Sequence, residues 1–209
     1  IEIVKILLKR KDLRVNQVNK YGATALFMSS QLGHVEVVRL LLSKSDIDIN
    51  KAKDTGATAL FMASQNNHVE VVKLLLSMSD IDMTKAMKDG GTALYMASQK
   101  GHVEIVQLLL SKSEIDINRA MNDGSTALII ASQCGHVEVV RLLLSKSGID
   151  INKAVNDGVT ALYIASQNGH VEVVHLLLSK SGIDIKTDVK GRSPLKIANS
   201  QGHTQIVKL

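Results

Sequence analysis

The stretch Thr92–Leu110, TALYMASQKGHVEIVQLLL, decides the fold because it contains two short helical patterns separated by a turn. From Thr92 to Gln99 the apolar residues recur with helical spacing, and the hydroxyl of the opening Thr can cap the first turn. Gly101 is predicted to end this helix, since Gly accepts the left-handed conformation of a helix C-cap. A second helix is predicted from about His102 to Ser111.

This pair of helical patterns recurs along the chain at a nearly fixed period. Histidines mark it at His34, His68, His102, His136, His170 and His203, with spacings of 34, 34, 34, 34 and 33 residues. Such a period is typical of solenoid proteins. Two short helices cannot bury their apolar faces alone, so successive units are expected to stack and complete one core.

The segment between units is predicted to be an extended turn. It reads S-K-S-x-I-D-I-N-K-A and ends in polar residues such as Asn156, Asp157 and Gly158, which favour a tight turn before the next capping Thr. Asn67 replaces the Gly between the helices of its unit. Asn is the next most tolerant residue for a left-handed conformation, so the exception supports the same backbone.

Composition limits the class of protein. The chain is 45% hydrophobic but only 2% aromatic, so its core must consist of Leu, Ile, Val, Ala and Met. Cys134 is the only cysteine, and no signal peptide or apolar run of membrane-spanning length is present. We therefore expect no membrane span and an intracellular, cytoplasmic location.

The charge does not indicate a nucleic-acid partner. The net charge is +5, and many of the basic residues recur at one place in the repeat: Lys44, Lys112, Lys146 and Lys180. A cation near the end of a helix complements the helix dipole. We therefore interpret these lysines as solvated helix ends.

No catalytic or metal-binding pattern stands out. The recurring His residues belong to different units, whose helices should lie about 8–10 Å apart, beyond the reach of one metal ion. The Gly residues lack the spacing of phosphate-binding loops, and Cys134 has no dedicated activating group. We expect no enzyme activity, metal, cofactor or small-molecule substrate.

The repeated unit resembles the ankyrin repeat. The stretch TALYMASQKGHVEIVQLLL is similar to the usual form of that repeat, T-P-L-H-x-A-A-x-x-G-H-x-x-I-V-x-x-L-L. The resemblance implies an all-α ankyrin-repeat solenoid of stacked helix-turn-helix units linked by β-turn loops. The units are predicted at 1–18 (incomplete), 19–52, 53–86, 87–120, 121–154, 155–187 and 188–209 (incomplete). Both ends lack part of a repeat, so we expect an excerpt of a longer array, with an apolar end prone to self-association.

Two departures from the family pattern bear on structure. The usual Pro is Ala in every full unit and returns only as Pro194. The usual His after Leu is replaced at Phe27, Phe61, Tyr95, Ile129, Tyr163 and Lys196. Polar links between repeats are therefore not expected at this position.

The resemblance also implies a partner-binding surface on the concave face, formed by the turns and the first helices. The matching turn residues are Lys20, Tyr21, Ala23, Asp54, Thr55, Ala57, Lys88, Asp89, Asn122, Asp123, Asn156, Asp157, Val189, Lys190 and Arg192. Those on the first helices are Gln31, Leu32, Gln65, Asn66, Gln99, Lys100, Gln133, Cys134, Gln167, Asn168, Ser200 and Gln201. Their variation fits either a tuned surface or unconstrained solvent positions. The recurring Gln amides could bond each other or the backbone of a partner.

Three functions follow from the sequence. The first is a scaffold that binds an unidentified protein partner through the concave face. The second is a targeting or autoregulatory arm of a larger enzyme. The third is weak electrostatic binding to nucleic acid or anionic lipid, suggested by the pI near 9.3.

Overall fold

The computed structural model describes residues 1–10, 12–186 and 189–209, and these residues form paired α-helices without a β-sheet. The helices are α1 Glu2–Leu8, α2 Ala25–Gln31, α3 Val35–Leu42, α4 Ala59–Gln65, α5 Val69–Leu76, α6 Ala93–Lys100, α7 Val103–Leu110, α8 Ala127–Gln133, α9 Val137–Leu144, α10 Ala161–Asn168, α11 Val171–Leu178, α12 Pro194–Ser200 and α13 Thr204–Val207. The predicted all-α repeat architecture is confirmed. The predicted boundary between units 155–187 and 188–209 lies outside the described residues.

The first helix of each pair begins at a capping hydroxyl, as predicted. The Oγ1 of Thr58 accepts the backbone N–H of Phe61 at 3.2 Å, and Thr126 accepts that of Ile129 at 3.3 Å. Ser193 takes this role in the last unit, where Pro194 occupies the first helical turn. Each cap satisfies an N–H that has no partner inside its helix.

The turn between paired helices depends on a left-handed residue. Gly101 has φ +71° and Asn67 has φ +60°, so the predicted conformation is confirmed at both. Helix α6 runs to Lys100, one residue beyond the predicted end. The second helix is Val103–Leu110 rather than His102–Ser111, because His102 and Ser111 are its flanking caps.

Residues 1–96 form one compact unit. The first helices α2 and α4 pack against each other, the second helices α1, α3 and α5 pack in series, and each first helix contacts its own second helix. Leu26 and Leu60 are almost fully buried between them. Phe27 and Phe61 form a buried cluster with Ala23 and Ala57, so the position that carries His in the family provides apolar contacts here. The expectation of a core made only of Leu, Ile, Val, Ala and Met is therefore wrong at this position.

Residues 97–209 form the other compact unit and repeat this arrangement. The first helices α8, α10 and α12 pack in series, as do the second helices α7, α9, α11 and α13. Leu128, Leu162, Leu143 and Leu177 are at most 2% exposed. These leucines therefore form the core of this unit.

One of the recurring lysines is more than a solvated helix end. The Nζ of Lys44 donates to the carbonyl oxygen of Leu8, the last residue of α1, at 3.0 Å. The side chain thus caps the helix of the preceding repeat, where the carbonyl groups lack helical partners.

Candidate protein-binding surface

In each of the two compact units, the predicted binding residues lie on what we call the turn-and-first-helix surface, made by the turns before the first helices and by the ends of those helices. The exposed turn residues are Lys20, Tyr21, Asp54, Thr55, Lys88, Asp89, Asn122, Asp123, Asn156, Asp157, Lys190 and Arg192. On the helix ends Leu32, Asn66, Lys100, Gln133, Cys134, Asn168, Ser200 and Gln201 are exposed, and Gln31, Gln65, Gln99 and Gln167 are half-buried.

Three residues suggested for this surface are part of the core instead. Ala23 and Ala57 are each 4% exposed and belong to the cluster around Phe27. Val189 is 5% exposed and packs with Tyr163 and Ile197. Their apolar side chains turn inward because the polar turn residues beside them occupy the tip. They cannot contact a partner.

In the unit formed by residues 1–96, neighbouring turns contact each other through the backbone. The N–H of Lys88 donates to the carbonyl of Thr55 at 3.0 Å. The Asp54 carboxylate lies 3.4 Å from the position that a Cβ on Gly22 would occupy. At the first turn, the Lys20 ammonium stands 4.9 Å from the centre of the Tyr21 ring, within the range of a cation–π contact. The turn backbones are held while the side chains remain accessible.

In the unit formed by residues 97–209 the same link recurs. The Asn156 N–H donates to the Asp123 carbonyl at 2.9 Å, and the Asn156 amide donates to the Asn122 carbonyl at 3.2 Å. Asp123 in turn accepts the N–H of Ser125 through its carboxylate at 2.8 Å. These bonds fix the tips at which the predicted binding side chains are presented.

The recurring histidines connect one repeat to the repeat before it. The Nε2 of His136 donates to the carbonyl of Gln99 at 2.9 Å, and that of His170 donates to the carbonyl of Gln133 at 3.0 Å. His68 and His203 make the same bond to Gln31 and Gln167. A carbonyl oxygen can only accept, so Nε2 carries the proton in each ring. The sequence showed that these histidines recur, but it did not reveal their partner.

In four of the helix–helix turns, the glycine makes room for the histidine ring of the next repeat: Gly33, Gly101, Gly135 and Gly169. A Cβ added to Gly135 would lie 2.7 Å from the His170 ring, and one added to Gly101 would lie 2.7 Å from Nδ1 of His136. These glycines therefore meet two requirements, a left-handed backbone and a close approach to an aromatic ring.

Two asparagines reinforce the histidine bond. The side-chain amide of Asn66 donates to the Gln31 carbonyl at 3.0 Å, and that of Asn168 donates to the Gln133 carbonyl at 2.9 Å. Each of these carbonyls thus accepts one amide and one imidazole N–H. Asn66 and Asn168 were predicted to face a partner, yet the side-chain amide of each donates a hydrogen bond to the preceding repeat.

Sequence reasoning missed a second set of asparagines. The Asn118 amide donates to the Gly148 carbonyl at 2.7 Å, and its Oδ1 accepts the Asp150 N–H at 2.8 Å. Asn16, Asn50 and Asn152 make the equivalent pairs of bonds. We call these residues the asparagine clamps. The available signal was their recurrence in register with the 34-residue period, interrupted by Thr84, but recurrence alone does not name a partner.

The repeated glutamine amides do not bond each other. The side chains of Gln99, Gln133 and Gln167 make no hydrogen bond to any residue within the described part of the chain, although their backbone carbonyls do. The first of the two expectations for these amides is therefore wrong, because their backbones are held one repeat apart.

The remaining chemistry of the described residues is sparse. They include no group of three or more His, Cys, Asp or Glu side chains placed to hold a metal ion. Desolvation raises the pKa of the exposed Cys134 thiol, and the nearby Lys100 ammonium only partly opposes this. Of the helices within residues 1–10, 12–186 and 189–209, none is both long and apolar enough to cross a membrane.

Comparison with known proteins agrees with this geometry. A family model described as ankyrin repeats (3 copies) matches residues 1–87 and 78–155, and a second, ankyrin repeats (many copies), matches residues 135–178. The crystal structure of EF0377, an ankyrin repeat protein, is 27% identical in sequence with a TM-score of 0.81, and the match covers 91% of this chain and 97% of that one. No curated protein matches significantly. Because the family models span most of the sequence, the chain belongs to the ankyrin repeat family.

Proposed function

We propose that the chain is a protein–protein interaction scaffold that binds its partner through the turn-and-first-helix surface. Ankyrin repeats are generally protein–protein interaction modules, and proteins of the family are typically non-enzymatic. The partner is a protein, and its contacts come from the exposed tips and helix ends. An intracellular setting fits a chain with a single cysteine.

The observation that carries the proposal is the contrast between fixed backbones and variable side chains. Backbone bonds hold the turn tips, as at Lys88 and Asn156, while the exposed positions differ from unit to unit. In the first full unit the residue just after the first helix is Leu32, and its counterparts in the next three units are Asn66, Lys100 and Cys134. A pre-organised surface loses less conformational entropy on binding.

The charge distribution gives the electrostatic alternative little support. The net charge is +3 in residues 1–18 and +3 in residues 188–209, but −1 in residues 19–187. The five full units therefore carry no excess of positive charge. A groove that follows a nucleic-acid backbone needs basic residues along its length.

Charge reversal on the proposed surface tests the function. Partners captured by the wild-type chain should be lost by the double variant Lys88→Glu/Lys100→Glu, because both side chains are exposed on that surface. The matched control is Lys73→Glu, on the second helix α5. If every captured partner remains bound to the double variant, the surface is wrongly assigned. Binding to heparin that persists at physiological salt would instead favour the electrostatic alternative.

A further inference from the structure

The three glutamines of the unit formed by residues 97–209 are evenly placed hydrogen-bond donors without partners. Gln133 is the last residue of α8, and Gln99 and Gln167 each precede the last residue of their helices, α6 and α10. Each side-chain amide offers two N–H donors and a carbonyl acceptor. None of the three side-chain amides bonds another residue within the described chain, so their donors and acceptors have no partner there.

The point at which each of these side chains leaves its helix is fixed by a hydrogen bond to the backbone. The backbone carbonyl of each glutamine accepts the Nε2–H of a histidine in the next repeat, at 2.9, 3.0 and 2.9 Å. The same bond at the same repeat position means that each amide leaves its helix from an equivalent point. Neighbouring first helices that pack side by side lie about 8–10 Å apart. The glutamines thus form a row of donors with about that period.

This period selects one kind of backbone. A polyproline II helix has three residues per turn and rises about 3.1 Å per residue, so groups on one side recur about every 9 Å. A β-strand presents groups on one side every two residues, about 6.6 Å apart. One turn of polyproline II matches one repeat, whereas neither one nor two strand periods do.

The chemistry agrees with the spacing. A polyproline II segment has no internal hydrogen bonds, so its backbone carbonyls are free to accept. Because the segment is already extended before it binds, little conformational entropy is lost. We propose that the row formed by Gln99, Gln133 and Gln167 binds a polyproline II segment of a partner protein, with one glutamine amide donating to every third carbonyl. This inference rests on the proposed scaffold function and names the backbone conformation of its partner.

A proline peptide provides the direct test. The probe is fluorescein-labelled nonaproline, whose three turns are long enough to reach all three glutamines, and binding is followed by fluorescence anisotropy. We expect saturable binding to the wild-type chain. A nine-residue Gly-Ser peptide has equivalent carbonyls but forms a flexible coil, and it should bind at least tenfold more weakly.

Variants locate the binding on the glutamine row. The triple variant Gln99→Ala/Gln133→Ala/Gln167→Ala should weaken nonaproline binding at least tenfold. The matched control is Glu138→Gln/Glu172→Gln, which alters the second helices α9 and α11 and should leave binding unchanged. If the triple variant loses its helical circular dichroism, the single variant Gln133→Ala, whose side chain is exposed, replaces it and should weaken binding about threefold.

Two results would overturn the inference. One is the absence of saturable nonaproline binding to the wild-type chain, and the other is unchanged affinity in the glutamine variants. Salt adds a check, since contacts between neutral groups should keep their affinity between about 50 and 500 mM NaCl. If Lys88→Glu/Lys100→Glu abolishes partner capture while nonaproline does not bind, the scaffold function stands and only the polyproline II partner is wrong.

Discussion

A serine hydroxyl is buried without a partner at one position of four repeats. Ser30, Ser64, Ser98 and Ser132 are all 0% exposed, and their Oγ atoms have no hydrogen-bond partner among the described residues. The usual ankyrin repeat form has Ala at this position. A buried hydroxyl without a partner costs about 1–3 kcal/mol in lost solvation. These serines therefore lower the free energy of unfolding.

We expect Ser64→Ala to stabilise the protein by about 1 kcal/mol, since it removes an unsatisfied hydroxyl and little volume. The measurement is the urea midpoint by circular dichroism. Ser29→Ala is the control, because the Ser29 hydroxyl donates to the Leu26 carbonyl at 3.1 Å, and its loss should not stabilise. A lower midpoint for Ser64→Ala would show that its hydroxyl has a partner in solution.

The close contact between a turn glycine and a histidine ring gives a second prediction at the scale of a residue. Gly135→Ala should destabilise by at least about 1 kcal/mol more than Gly202→Ala. Both glycines are left-handed, with φ of +72° and +77°, so both variants bear the same backbone strain. Only the Cβ at Gly135 would meet a ring, His170, whereas nothing lies within 4 Å at Gly202.

Thermal unfolding of Gly135→Ala and Gly202→Ala, measured under the same conditions, tests whether the contact with the ring matters. Equal losses in Tm would mean that the His170 ring moves away without cost, and that the ring-to-glycine contact contributes little to stability.

At the scale of an element, the loops after α3, α5, α9 and α11 each depend on a side chain of the preceding repeat. The asparagine clamps bond both a carbonyl and an N–H of the next loop, as Asn118 does with Gly148 and Asp150. An asparagine amide presents a donor and an acceptor side by side, as a β-strand backbone does. The clamp thereby orders a loop that has no strand of its own.

We expect Asn118→Ala to destabilise by about 1–3 kcal/mol, because it removes two hydrogen bonds and leaves two backbone groups unpaired. The sharpest readout is amide hydrogen exchange, in which the Asp150 N–H should lose protection. Asn199→Ala, at an exposed position on α12, is the control and should leave the exchange of Asp150 unchanged. Continued protection of Asp150 in Asn118→Ala would contradict a clamping role.

At the scale of the whole molecule, stability is a sum over repeats and the contacts between neighbours. Substitution of one buried leucine should therefore cost much and act locally. Leu128→Ala, at 1% exposed, should destabilise by about 2–5 kcal/mol. Leu195→Ala changes the same repeat position in the last unit, where the side chain is 55% exposed, and should cost under about 1 kcal/mol.

Chemical denaturation of the two leucine variants, with hydrogen exchange mapped along the chain, checks both the size and the range of the effect. Protection should fall most in α8 and its packing partners α9 and α10. A uniform loss of protection along the chain would contradict local coupling between repeats.

The periodic residues made the fold predictable from the sequence. The capping Thr, the left-handed Gly or Asn67 and the leucines act within one repeat, so their roles follow from local rules. The contacts between repeats could not be predicted from these local rules. The bond from His136 to the Gln99 carbonyl joins residues 37 positions apart, and it depends on how one unit seats on the next.

The candidate surface was predictable only in part for the same reason. Exposure of the polar turn tips follows from their residue types, whereas the burial of Ala23 and Val189 depends on the neighbouring repeat. The amide of Asn168 was assigned to a partner but bonds the Gln133 carbonyl. Residue type indicates what a side chain can bond, and stacking determines which group it meets.

The bond from each histidine to the repeat before it has a consequence for how such a chain changes length. Because His136 and His170 make the same contact with the preceding glutamine carbonyl, tandem duplication of residues 121–154 would create a junction that already exists in the protein. The inserted histidine would meet the Gln133 carbonyl as His170 now does. Growth by whole repeats thus requires no new interface, because each added unit supplies both the histidine ring and the glutamine carbonyl.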